Sequence, residues 1–141
     1  MAGLLASLLS GCTGGESQAT AADERFAEVP HVVDSSTVVQ RAGSPLNTQY
    51  NTDLTLETEL AVAEQADAID AVLVVAREEL SPTANVGFVL HIVGGSRAID
   101  MEQVIANLGG VGEQTTDDLR TGQLRLSQDE LKAYVSPSEG S

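Results

Sequence analysis

The sequence predicts a small α+β domain, and three patterns predict it. Residues 50–60 alternate, with Leu54, Leu56 and Leu60 on one side and Asp53, Thr55, Glu57 and Glu59 on the other, the period of a strand with one face on a core. Residues 64–80 place Ala66, Ile69, Leu73, Ala76 and Leu80 at steps of three and four, one helical stripe that Val72 widens. Residues 86–93, VGFVLHIV, are apolar on nearly both faces, which suits a strand at the centre of a sheet.

In chain order, residues 13–23 are small and polar and read as a flexible tether. A short helical turn over 21–29 would put Phe26 and Val29 on one side before Pro30 interrupts it. Residues 31–42 are extended, with Val32, Val33, Val38 and Val39 as the β-branched positions. The adjacent valines break strict alternation and place a bulge near Asp34-Ser35-Ser36. Gly43-Ser44-Pro45-Leu46-Asn47 is a turn cluster, so the strands on either side of it form an antiparallel hairpin. In the helix over 64–80, Glu64, Asp67, Asp70, Arg77 and Glu78 fall mostly on the solvent side, and Ser81-Pro82 ends it. The central strand would be covered by this helix on one face and by a second layer on the other, and Gly94-Gly95-Ser96 breaks it. Asp100 with Gln103 resembles a capping box opening a helix over 101–108, which Gly109-Gly110 closes. A short strand over 123–126 follows, and Ser127-Gln128-Asp129-Glu130 has the S-x-x-E form that opens a last helix to Val135. A right-handed crossover out of the hairpin places the third strand beside the first. The expected architecture is therefore a split β-α-β sheet, an antiparallel hairpin plus a central strand, with helices on one face, ferredoxin-like in spirit. One folded unit over 28–135 would follow a tether over 12–27 and precede a tail over 136–141.

Composition narrows the function classes. Seven basic residues against 21 acidic ones give a formal net charge of −14. Such a surface repels phosphate backbones and anionic lipid headgroups, which speaks against nucleic acid as a partner and against charge as a membrane anchor; it would attract basic protein partners or multivalent cations, and its first reading is simply a solubilising surface charge. Aromatics are 3% of the chain, so the core is built from Val, Leu, Ile and Ala. The single cysteine, Cys12, excludes a disulfide framework and a cysteine-rich zinc site.

That cysteine follows an uncharged apolar run, residues 2–9, which as a helix is about 12 Å long, too short for a bilayer core of roughly 30 Å. The run fits the apolar region of a secretory signal. Leu9-Ser10-Gly11-Cys12 resembles the lipobox of bacterial lipoproteins, with Leu9 at the aliphatic position, Ser10 at the small one, Gly11 before the cut and Cys12 as acceptor. The resemblance spans about a dozen residues and implies three things. Residues 1–11 are a signal peptide cleaved between Gly11 and Cys12, the Cys12 thiol carries diacylglycerol and its amine a further acyl chain such as palmitate, and the mature chain sits at the extracytoplasmic face of the cell membrane. Two or more acyl chains hold a protein stably where one holds marginally. The family begins with a positively charged stretch that Met1-Ala2-Gly3 lacks, and a start codon further upstream would supply it. One Lys against six Arg, with abundant Ala, Gly and Val, is the bias of GC-rich coding, as in an actinobacterial lipoprotein. The alternative is a cytosolic domain with an apolar N-terminus and an incidental cysteine.

Chemistry is sparse. There is no G-x-S-x-G, H-E-x-x-H or Walker A pattern, and no cofactor or metal-ligand motif. His91 alternates with Leu90 and Ile92 in the central strand and reads first as a packing residue; His31 stands beside Pro30. Gly94, Gly95, Ser96 and Arg97 lie between a strand and a helix, where backbone amides could cradle an anion with Arg97 assisting, although glycines there also serve simply to turn the chain. Asp67 with Asp70, and Asp117 with Asp118, lack the spacing of a calcium loop. The expectation is a lipid-anchored envelope protein acting as a non-catalytic binding or assembly module. The alternative is a small envelope enzyme or anion-binding protein using Gly94–Arg97 and His91.

Overall fold

The computed structural model describes residues 15–41 and 46–137. The expected signal peptide, the lipobox with Cys12, Gly43-Ser44-Pro45 of the turn, and the tail from residue 138 lie outside the described residues. The elements are α1 (Glu16–Phe26), β1 (Val32–Gln40), β2 (Gln49–Leu56), α2 (Val62–Glu79), β3 (Gly87–Gly94), β4 (Arg97–Ala98), α3 (Glu102–Asn107), α4 (Thr116–Arg120), β5 (Gln123–Leu126) and α5 (Gln128–Lys132). No described helix is long and apolar enough to cross a membrane.

The strands form one mixed five-stranded sheet in the order β1-β2-β3, with β4 and β5 both paired to β3. β1 and β2 are the antiparallel hairpin the sequence predicts, with a bulge between Val32 and Asp34, slightly before the expected place. β3 lies parallel to β2, Tyr50 opposite Phe88 and Leu56 opposite Gly94. The α+β class with a hairpin and a central strand is thus present, but the third strand sits beside the second strand and not beside the first. Burial explains the choice. β2 hides Tyr50, Thr52, Leu54 and Leu56 almost completely, whereas β1 carries Asp34, Ser35, Ser36 and Thr37 and stays half-open. The more apolar strand takes the interior position and the polar one the edge.

All helices that contribute buried side chains pack on one face of the sheet. The stripe read from the sequence, Ala66, Ile69, Leu73, Ala76 and Leu80 with Val72, is buried against Leu54, Leu56, Phe88, Leu90, Ile92, Leu124 and Leu126. Each fully buried Leu, Ile or Phe contributes about 1.5–3 kcal/mol relative to leaving it in water. The opposite sheet face has no covering layer among the described residues: Asn51, Asp53, His91 and Arg125 lie there, and Val89 and Val93 are only half-buried. The expected second layer over the central strand is therefore not found; a hydrophobic run marks how apolar a strand is, not how many neighbours cover it.

Two further expectations are corrected. The tether stops short, because Glu16–Phe26 is helical and buries Ala19, Ala22 and Phe26. Small polar composition is shared by linkers and by short helices that dock through alanine, so local pattern could not separate them. Asp70 does not lie on the solvent side of α2. It is buried, and its carboxylate accepts hydrogen bonds from the Tyr134 and Ser136 hydroxyls, clasping the C-terminal segment to the helix. At the end of the chain the predicted capping box is present: Ser127 Oγ accepts from Glu130 N–H (3.1 Å) and the Glu130 carboxylate from Ser127 N–H (2.9 Å).

Candidate functional site

A cleft of about 620 Å³ opens at the C-terminal ends of the parallel strands β2 and β3. This is where open sheets carrying parallel strands place their ligands, because strand ends and loops converge there without a helix in the way. One wall is the β2–α2 connection with Glu57, Glu59, Leu60 and Val62; the other runs from Gly94 through Arg97 and Ile99 to Glu102 and Gln103.

The local sequence builds each wall. Gly94 and Arg97 pair across a two-residue Gly95-Ser96 turn, so the predicted strand break is a tight hairpin into β4. Gly95 has φ +68, and a Cβ added there would come within 2.8 Å of Thr58 Cγ2, so this turn against the opposite wall requires glycine. The Gly95 N–H donates to Leu56 C=O (3.3 Å), which carries the contact between the two strand ends one residue past β3 and occupies one amide of the expected anion cradle. Ser96 is exposed in the turn. Glu59 has φ +63, a left-handed conformation rare for a non-glycine residue. Past β4, Asp100 accepts from Glu102 N–H (3.0 Å) and starts α3.

Electrostatically the cleft is acidic. Among the described residues its lining carries four carboxylates, Glu57, Glu59, Asp100 and Glu102, and one cation, Arg97. Glu102 is ion-paired outward to Arg120 (3.0 Å). Glu57 is hydrogen-bonded to His31 Nδ1 (3.1 Å), and the far side of that ring lies 3.8 Å from the Glu64 carboxylate in the first turn of α2. His31 has φ +73, so two of the backbone outliers, His31 and Glu59, stand beside this cleft. The α2 N-cap is Ala61, which has no side-chain acceptor; Glu64 accepts from Ala61 N–H (3.0 Å) instead.

Of the residues singled out from the sequence, Gly94 and Arg97 line the cleft. His91 is elsewhere: it lies on the open sheet face, its Nδ1 3.6 Å from the carboxylate of its cross-strand neighbour Asp53, and it does not line this cleft. Asp117 and Asp118 belong to α4, where Asp118 pairs with Arg125 (3.4 Å). Among the described residues no three His, Cys, Asp or Glu side chains are arranged to hold a metal ion. The sequence reading missed Glu57, Glu59, Asp100, Glu102 and His31 as a group. The signal that finds them is positional: each stands at or near the end of a strand or the start of a helix, and they converge once β2 and β3 are known to run parallel side by side. No family model, no curated protein and no solved structure matches this chain, so the cleft is read from its own residues.

Proposed function

We propose that this chain is a lipid-anchored protein of the cell envelope, held at the extracytoplasmic face by acyl chains on Cys12, and that its domain is a non-catalytic module binding a basic protein segment. The anchor rests on the order Leu9-Ser10-Gly11-Cys12. The binding half rests on one observation, a cleft of ligand size with four carboxylates on its rim in a chain of net charge −14. Lys and Arg side chains entering from solvent would meet Glu57, Glu59 and Glu102, and Arg97 would set which end of the segment enters. His91 lies on the open sheet face beside Asp53 and does not line the cleft that holds Arg97.

A second reading has its own support. Arg97 has no ion-pair partner among the described residues, which favours an anion held by its guanidinium. Calorimetric titration of the full chain with a short oligolysine peptide and, separately, with inorganic phosphate separates the two. The peptide should bind, more weakly as salt is raised, and combined Glu57→Gln and Glu59→Gln should weaken it about tenfold, equivalent to ~1.4 kcal/mol. Peptide affinity that ignores both changes overturns the basic-partner reading; phosphate binding abolished by Arg97→Gln establishes the other. For the anchor, Cys12→Ser should move the protein from the membrane pellet to the aqueous fraction.

A further inference from the structure

The structure bears on how the anchored body stands on its membrane. Gly15 is the first described residue and it is buried. A Cβ placed on it would lie 3.1 Å from Tyr50 Oη, 3.5 Å from Val39 Cγ1 and 3.7 Å from Arg41 Nη2. Val39 and Tyr50 face each other where β1 ends and β2 begins. The Tyr50 hydroxyl is itself held by Thr83 Oγ1 (2.6 Å), and burial pushes its pKa up, so it stays neutral there. α1 starts at the next residue and is locked down: Asp23 accepts from Thr37 N–H (2.9 Å) and Thr37 Oγ1 (2.7 Å), and Arg25 reaches Glu78 and Glu79 at 2.8 Å.

Only three residue steps separate Cys12 from Gly15, a span of at most roughly 10–11 Å when fully extended. Acyl chains on Cys12 would therefore hold the β1–β2 end of the sheet close to the headgroups, with no long linker to let the body tumble. That end also presents Leu46, 82% exposed and pinned at the start of β2: Asn85 Nδ2 donates to Leu46 C=O (2.8 Å) and Asn85 Oδ1 accepts from Thr48 N–H (2.6 Å). Val86 is partly exposed beside it, and Val86 N–H donates to Thr48 C=O (2.9 Å). Arg41 lies at the same end, with Glu16. The acidic cleft is at the other end of β2, six residues from Tyr50 to Leu56, or about 20 Å. Carboxylates stand at both ends, four around the cleft, Glu16 beside Gly15, and Glu113 and Glu130 in the groove beside Val86, so it is the short span from Cys12, not charge, that sets which end faces the lipid.

We propose that the anchored domain rests on the lipid surface by the pole carrying Leu46 and Val86 and presents the Glu57–Arg97 cleft outward, away from the bilayer. The inference rests on the lipid-anchor reading, and its test separates the two. The chain contains no tryptophan, so Leu46→Trp and Gln103→Trp each introduce one reporter, at opposite poles and at exposed positions. Lipidated full-length protein is reconstituted into phosphatidylcholine vesicles with brominated acyl chains, which quench only tryptophans near the hydrocarbon. Sedimentation with the vesicles reads the anchor, and the ratio of quenching at the two positions reads the orientation. Expected are sedimentation that Cys12→Ser abolishes, and quenching several-fold stronger at position 46 than at 103. A flexible Gly-Ser insertion between Gly14 and Gly15 should bring the two values together while sedimentation persists. Equal or reversed quenching in protein that sediments overturns the orientation and leaves the anchor standing. Failure to sediment overturns both.

Discussion

Asp70 shows how much one side chain can matter in a chain with so many carboxylates. It is buried under the Tyr134 and Ser136 hydroxyls, while Asp67, three residues earlier on the same helix, is exposed. Replacing Asp70 with Ala removes the carboxylate that accepts from both hydroxyls in a buried site, a cost of about 1–3 kcal/mol, whereas Asp67→Ala should stay within roughly 0.5 kcal/mol. Urea denaturation of the two variants checks the contrast. Glu130 is a second such residue. Its carboxylate accepts from the N–H groups of Ser127 and Glu113, which lower its pKa below the usual carboxylate value. A depressed folded-state pKa means stabilisation that is complete above the unfolded-state value and is lost as pH falls through the folded-state one. The stability gap between the wild-type protein and Glu130→Gln, followed by thermal unfolding, should therefore be constant near neutrality and close on acidification below about pH 4.

At the scale of elements, α1 and β1 depend on each other. β1 is an edge strand, and its Thr37 N–H would be open to pairing with another chain if the Asp23 carboxylate did not take it. α1 in turn has little apolar surface beyond Ala19, Ala22 and Phe26, so it persists only because these dock. Phe26→Ala should then cost about 3–5 kcal/mol, the penalty of a buried aromatic, whereas the same change in a flexible tether would cost almost nothing. Chemical denaturation distinguishes the two. α4 carries a related lesson. Thr115 Oγ1 accepts from Asp118 N–H (3.1 Å), so Thr115-Thr116-Asp117-Asp118 is a capping signal of the same kind as Ser127–Glu130, but it opens a helix of only five residues, too short to show a periodic stripe.

At the scale of the whole molecule, the fold is polarised. Helices cover one face of the sheet and leave the other open, and the strand ends divide the surface into a pole near Gly15 and Leu46 and an acidic pole at the cleft. The polarity follows from the β2–α2–β3 crossover. Because β2 and β3 run parallel, their C-terminal ends and both following loops emerge together, and the carboxylates on those loops gather around one space. In the split arrangement expected from the sequence, β1 would separate β2 from β3 and these side chains would lie a strand further apart.

Alternation in β2, the heptad-like stripe of α2, the apolar run of β3 and the capping residues at Ser127 were legible because each depends on neighbours within a few positions: a side chain's face is set by the local period of the backbone. From these alone follow the α+β class, the hairpin, most element boundaries and most of the core. Strand order, the docking of α1, the burial of Asp70 and the convergence of Glu57, Glu59, Asp100 and Glu102 depend on which distant segments compete best for the same buried surface. That competition is won by summed burial and hydrogen bonding across the assembled sheet, and no local pattern records its outcome.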